Sequence, residues 1–432
     1  MSEETLASYP HGPVKFNKVG FTCLACHAGQ VQVSSTRTIP LIGAPNTRAI
    51  YPLFLLARTV KSPSFTAEKF RETLAKKPLG WIYGDSKMIA AETKEREIFN
   101  SPGVAEEMVA NLKSNTDRMM GGFAFLNQFA YKAPNAPDPL ALKRGSLDVL
   151  TTTYLAFVAW AKVNNPDLLK PENIVTIVPQ QAAEIDSPSI WNQKDRGRGH
   201  WDGTTGNPLH RNIGAAASVL NKPVDIGNVQ RITSFTESLP SNPYPFDVDM
   251  SKARRGEKLF RAHCSSCHSS QNTVYDAVSV GTSINRLNHF TPAAGNFLGG
   301  LLGSLCTDAS LCKRPDGSDF PAGELSAKTN GYVGGRLDGI WARAPYLHNG
   351  SVPTLHALLT NQRPEKFYRG ALSYDRANVG FTWDKNLKGT VEYDTRLDGN
   401  SNSGHSSIEY LGLDWASRPN ELGNLLEFMK TL

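Results

Sequence analysis

Apolar positions recur at helical spacing in several separate stretches of the chain, and those stretches set the first expectations. The strongest is Val149–Val163, read with its leading Asp148 as DVLTTTYLAFVAWAKV. Three threonines interrupt it and Asn164-Asn165-Pro166 stops it, so it predicts a packed helix. It falls short of the roughly 18 apolar residues that a membrane span requires. Helical patches are expected at Thr66–Lys76 and Val104–Asn115, with short helices at Pro353–Thr360, after a start at Ser351, and at Pro419–Lys430. Ser251–His263 predicts a helix with Leu259 and Phe260 on one face; Gly256, a turn earlier, would let another helix approach closely. Between these elements the chain is rich in turn formers. Leu239–Phe246 carries three prolines and reads as extended, either a domain boundary or a surface loop within one domain. The last roughly 100 residues hold NGYVGGRLDG, APYLHNGSVP and LDGNSNSGH, the composition of long ordered loops that line a site or a cofactor. Strand content is expected to be minor.

Two short motifs change this picture. Cys23-Leu24-Ala25-Cys26-His27 and Cys264-Ser265-Ser266-Cys267-His268 repeat the pattern CxxCH. Its spacing suits covalent haem: two thiols add across the vinyl groups, and the adjacent histidine is delivered to one face of the iron. Two CxxC pairs could also build a zinc site, although four thiolates have no use for a histidine after each pair. A redox dithiol would call for a βαβ setting, which the pattern does not show. The helix before the second motif offers an apolar face to a haem edge. Gly12, Pro13 and Gly20 break any equivalent helix before the first.

The remaining cysteines, Cys306 and Cys312, are either two free thiols or a disulfide closing a small loop; an oxidising compartment, which haem attachment of this kind implies, favours the disulfide. Residues 1–20 lack the apolar core of a signal peptide, so a periplasmic or secreted protein would have had its export signal removed. The 432 residues allow two or three domains, and 20% charged with 40% hydrophobic residues is ordinary for a globular chain. The formal charge of +6 is dispersed, and the propionates of two haems would offset most of it. Nucleic acid is therefore not an expected partner, nor is a membrane span expected. A cytochrome unit takes only about 100 residues. The expected organisation is an N-terminal haem domain over 1–240, with a helical and loop insertion at about 36–139, and a C-terminal cytochrome c-like domain over 241–432. The fold class expected is mainly α, two haem domains joined by long ordered loops.

The chain resembles the di-haem cytochrome c peroxidase and MauG superfamily, and within it the rubber oxygenase A (RoxA)-like group. The resemblance rests on CLACH, RGHWDGTTGNPLHRNIGAAAS (198–218), PYPFDVDMSKARRGEKLFRAHCSSCH, RLDGIWARAPYLHNGSVPTLHALL (336–359), RPEKFYRG (363–370), NVGF (378–381) and GNSNSGH (399–405). It implies two covalent haem c groups. Cys23, Cys26 and His27 would hold the catalytic one, and Cys264, Cys267 and His268 the one that stores electrons. His348 matches a histidine near the second haem that is normally not its ligand. The peroxidases place a methionine ligand a little further on, where this chain has Gln362. The RoxA-like group uses a late histidine instead, matched by His405; a surface histidine in a Gly/Asn-rich loop is the plainer reading of it. Trp201 matches a tryptophan beside the oxygen-binding haem, yet its neighbour is His200 where that group has an apolar aromatic residue. His200 could be structural, a sixth ligand or a distal acid–base group. The activity implied is an oxygenase taking O2 to an apolar olefinic or polymeric substrate. The alternatives are a peroxidase reducing H2O2 with a redox-partner cytochrome, and a non-enzymatic electron carrier. A calcium ion would be compatible with the resemblance but is not derivable from the residues.

Overall fold

The structure is a computed structural model describing residues 2–6, 14–18, 27–45, 58–79, 89–129, 149–177, 185–219, 224–268, 273–397 and 399–432. Helix dominates, and among the described residues the strands form only two-stranded antiparallel pairs. The chain divides into two compact units, residues 1–22 with 51–125, and residues 23–50 with 126–432.

The first unit holds the hairpin β1 (Ser2–Leu6) and β2 (Val14–Lys18) and the helices α1 (Ala67–Ala75), α2 (Ile89–Asn100) and most of α3 (Val104–Phe129). Thr66 caps α1 by accepting from Lys69 N, as the Ser/Thr preference at that position requires. The third helix continues well past Asn115, where the expected patch ended. Leu74, Phe99 and Val104 form a small core, with Phe70 set edge-on to Phe99 at 5.8 Å. Arg71 grips Glu106 through two parallel bonds of 2.6 and 2.7 Å.

The second unit carries the larger core. The expected helix appears as α4 (Val149–Asn164), followed by α5 (Pro208–Val219), α6 (Ile226–Ser238), α7 (Met250–His263), α8 (Pro292–Leu305), α9 (Leu355–Thr360) and α10 (Pro419–Met429). The ninth starts at Leu355 rather than Pro353, because Thr354 Oγ1 accepts from Ala357 N and so fixes the cap one residue after the proline. Asp249 accepts from Ser251 N and Lys252 N, which sets the start of α7. This helix lies against α10. Gly256 is why they can meet: a Cβ there would stand 1.9 Å from Asn424 O and 2.9 Å from Phe428 Cβ. Leu422, Leu425, Leu426 and Met429 of α10 are buried in a core that also holds Trp191, Trp341 and Trp415. Short strands stitch the loops: β3 (Ala28–Gln32) with β4 (Thr38–Ile42), β5 (Val274–Asp276) with β6 (Gly331–Val333), and β7 (Lys366–Arg369) with β10 (Val391–Asp394). Between the last two, β8 (Tyr374–Asp375) pairs with β9 (Gly380–Phe381). Leu239–Phe246 is free of helix and strand, and Trp341 Nε1 donates to Asn242 O within it at 3.0 Å. Cys306, at the end of α8, and Cys312 are disulfide-bonded with Cα atoms 5.8 Å apart.

Candidate functional site

The seventh helix runs straight into the second CxxCH motif. Cys264 N donates to Phe260 O at 2.8 Å, and Cys267 N and His268 N both turn back onto Cys264 O at 3.2 and 3.0 Å. This tight turn presents both thiols and the imidazole at the helix end. His268 Nδ1 donates to Gly335 O at 2.9 Å. That bond assigns the proton to Nδ1 and leaves the Nε2 lone pair outward, the tautomer a metal-ligating histidine uses. Facing it is His405, with ring centroids 5.9 Å apart and planes tilted by 38°. Burial, then the proximity of His268, brings the pKa of His405 down to about 4, so the ring is neutral and able to ligate at ordinary pH.

His405 arrives by a loop with no helix or strand, and its own φ of 52° is left-handed. Bonds from distant residues hold that loop. Asn349 Nδ2 donates to Ser401 O at 2.8 Å, Arg363 Nη1 donates to Asn402 O, and His405 N donates to Val280 O at 2.8 Å. The strained backbone at the histidine, a cost of order 1 kcal/mol, is thereby over-determined. The HNGS block thus supports the His405 loop through Asn349. His348 itself is buried and stacked on Tyr332 at 4.6 Å, and Arg286 adds to burial in lowering its pKa to about 3. Arg286 pairs with Asp202 at 3.1 Å, both almost fully buried. Gln362, where a methionine would stand in a peroxidase, is exposed.

Cys23 and Cys26 of the first motif lie outside the described residues, as does His11. His27 stands immediately before β3, and Gly43 N donates to its carbonyl at 2.8 Å. Burial lowers its pKa to about 4; Pro188 opposes the shift and Arg211 adds to it. Trp201 Nε1 donates to Asp186 O at 2.6 Å, two residues before Pro188, and Trp201 O accepts from Val333 N of β6 at 2.8 Å. His200 has a φ of 65° and its Nδ1 pairs with Thr204 Oγ1 at 3.1 Å, while Thr204 Oγ1 donates to buried Asp202 at 2.9 Å. Thr204 therefore spends its proton on Asp202 and accepts one from His200. Two further histidines without a motif have plain packing roles: His210 is edge-on to Phe320 at 5.3 Å, and His263 to Trp415 at 6.0 Å.

Asp202, Arg286, Tyr332 and Asp186 were not singled out in the sequence. Asp202 lies inside the RGHWDG segment, but no local pattern marks Arg286, whose partner comes from a remote stretch of chain.

Residues 331–369 match the family described as RoxA-like, cytochrome c-like. The match supports a haem cytochrome. It spans β6, Gly335 and His348, the scaffold against which His268 and the His405 loop are fixed. The chain is 38% identical over 284 residues to "Uncharacterized protein y4iM" of Sinorhizobium fredii, covering 59% of this chain and 66% of that protein. It is 45% identical over 101 residues to "Uncharacterized protein y4iJ" of the same organism, covering 22% of this chain and 17% of that protein. The chain thus spans just under two thirds of the first relative and a small part of the second. Among the described residues no helix is long and apolar enough to cross a membrane.

Proposed function

We propose that the chain is an extracytoplasmic, RoxA-like di-haem oxidoreductase that uses O2 to cleave an apolar olefinic substrate. Cys23 and Cys26 would hold one haem c and Cys264 and Cys267 the other, within N- and C-terminal haem domains over 1–240 and 241–432. The observation that carries the haem reading is the His268–His405 pair. Two metal–imidazole bonds of about 2 Å each, with about 1 Å more from each nitrogen to its ring centre, require a centroid separation of roughly 6 Å. The rings stand at 5.9 Å.

Bound haem supplies a redox-active iron that takes up electrons and small oxidants. The chain's residues supply the rest. Gly335 holds the proton of His268 on Nδ1, so that Nε2 is the ligating atom. His405 would hold the second haem together with His268, leaving that site suited to storing electrons rather than to taking small molecules. His27 would be the corresponding ligand at the first site, where Trp201, anchored on Asp186 O, would line the pocket.

A peroxidase is the second reading, favoured by one observation. His200 is an imidazole beside Trp201 in place of an apolar ring, and its Nδ1 is tied to the Thr204–Asp202 pair. Such a group can hold and return a proton. The deciding experiment matures the protein in an export-competent host, confirms a mass about two haems above the polypeptide, and compares O2 consumption with polyisoprene against H2O2 turnover with a reduced cytochrome. Substrate-dependent O2 uptake supports the oxygenase. Peroxide turnover alone overturns it in favour of the peroxidase, and one haem or none overturns the di-haem reading.

A further inference from the structure

Four arginines come together between the two histidines that follow the cysteine pairs. Arg343 donates to Arg336 O, the carbonyl next to the Gly335 carbonyl that takes the His268 proton, and Arg211 stands within electrostatic reach of His27. Arg196 repels both Arg211 and Arg343. Arg336 completes the group and takes the two nearest aspartates, Asp195 at 2.9 Å and Asp338 at 2.8 Å. The other three are left with mainly neutral partners. Arg196 donates to Ser189 O and Oγ, and Arg343 donates to Arg336 O and Asp338 O. Arg211 is laid flat over Gly199, where a Cβ would stand 2.4 Å from its Cδ. Arg196 Nε, Arg211 Nη2 and Arg343 Nε are buried with no hydrogen-bond partner among the described residues.

Four guanidiniums set against three carboxylates, Asp195, Asp338 and, for Arg211, Glu237, with buried N–H groups unmatched, is a costly arrangement unless an anion completes it. Burial and mutual repulsion accordingly pull Arg211 down to about 10 and Arg343 to about 9. Resting on the di-haem reading above, we propose that Arg211, Arg196 and Arg343 form one guanidinium bridge that receives the carboxylate edges of both haems and ties them to each other. Arg211 serves the haem at His27, Arg343 the haem at His268, and Arg196 is shared. The shared member makes the bridge a positioning and tuning device: it orients the two haem edges toward one another and couples the reduction potential of each to the same charge.

The test is a spectroelectrochemical titration of the full di-haem protein. Loss of a nearby positive charge favours the ferric form, so Arg343→Gln should lower the potential of the C-terminal haem and Arg211→Gln that of the N-terminal haem. Arg196→Gln should lower both, and Arg196→Lys should restore most of the shift. Two intact haems whose potentials Arg196→Gln leaves unchanged, or moves singly, overturn the bridge while leaving the di-haem reading standing. A shift of the wild-type potentials on adding inorganic phosphate shows a solvent anion filling the cluster and also overturns it. Should Arg196→Gln fail to fold, the propionate bending bands of the wild-type protein in resonance Raman decide. Strongly hydrogen-bonded propionates on both haems support the bridge, and bands of solvated propionates overturn it. A chain that binds no haem overturns the functional reading itself.

Discussion

The imidazoles of His268 and His405 face each other at 5.9 Å, one on the turn that ends a helix and the other in a loop without regular structure. The helix turn is built locally by the bonds onto Cys264 O. The loop is built by Asn349, Arg363 and Val280, all distant in sequence. A facing pair made this way has one member that any homologous helix would supply and one that depends on the whole domain.

Removing the second member should therefore have a clean signature. His405→Ala is expected to convert the C-terminal haem from low-spin to high-spin, with added imidazole restoring the low-spin spectrum. His348→Ala should leave the spin state as it was, since that ring is stacked on Tyr332 instead. Optical and EPR spectra of the two variants check this. High-spin signal from His348→Ala and none from His405→Ala would reverse the assignment.

His348 should show itself through acid sensitivity. Its pKa is about 3 in the fold, below the ordinary value of 6.5. The unfolded chain thus takes up the proton first, and the stability that neutral His348 contributes is present above pH 6.5 and lost as the pH falls toward 3. Between pH 7 and pH 5 this one group should cost about 2 kcal/mol. Denaturation of His348→Gln at both pH values should show a fall smaller by about that amount; an equal fall in both proteins counts against it.

Gly256 is required by contact. Gly256→Ala places a methyl group against Asn424 O and Phe428 and must separate α7 from α10, at a cost of about 1–3 kcal/mol. Denaturant unfolding at constant pH measures it. A loss below about 0.5 kcal/mol would mean that the helices slide apart freely.

Cys306 and Cys312 enclose a short loop, for which the chain-entropy relation gives about 2 kcal/mol of stabilisation. Cys306→Ser with Cys312→Ser should lower stability by about that amount, and peptide mapping without reductant should recover the wild-type pair linked. Alkylation of either thiol in oxidised wild-type protein would contradict the bond.

Local chemistry made much of this chain legible in advance. The helical repeat of Val149–Val163 and the apolar face before Cys264 act over a few residues, so α4 and α7 could be read almost to their ends. The CxxCH spacing, the predominance of helix and the small residue at 256 are of the same kind. So is the pairing of Cys306 with Cys312, where few residues intervene. The start of α9 was misplaced because Ser351 and Thr354 are both acceptable caps, and only the backbone geometry beyond Pro353 selects between them. The spacing ends α3 too early because the polar run Thr116–Arg118 and the glycine pair Gly121-Gly122 interrupt the repeat without breaking the helix.

What the tertiary structure alone decided has a common physical cause. The facing of His405 with His268, the Asp202–Arg286 pair, the Tyr332–His348 stack and the run of arginines from Arg211 to Arg343 all join residues far apart in sequence. Each is a buried or partly buried polar contact, and no periodicity records it. A polar side chain looks the same in sequence whether it meets water or a partner from a remote loop. Only the closed chain, in which burial makes an unmatched charge or donor costly, determines which of them must meet.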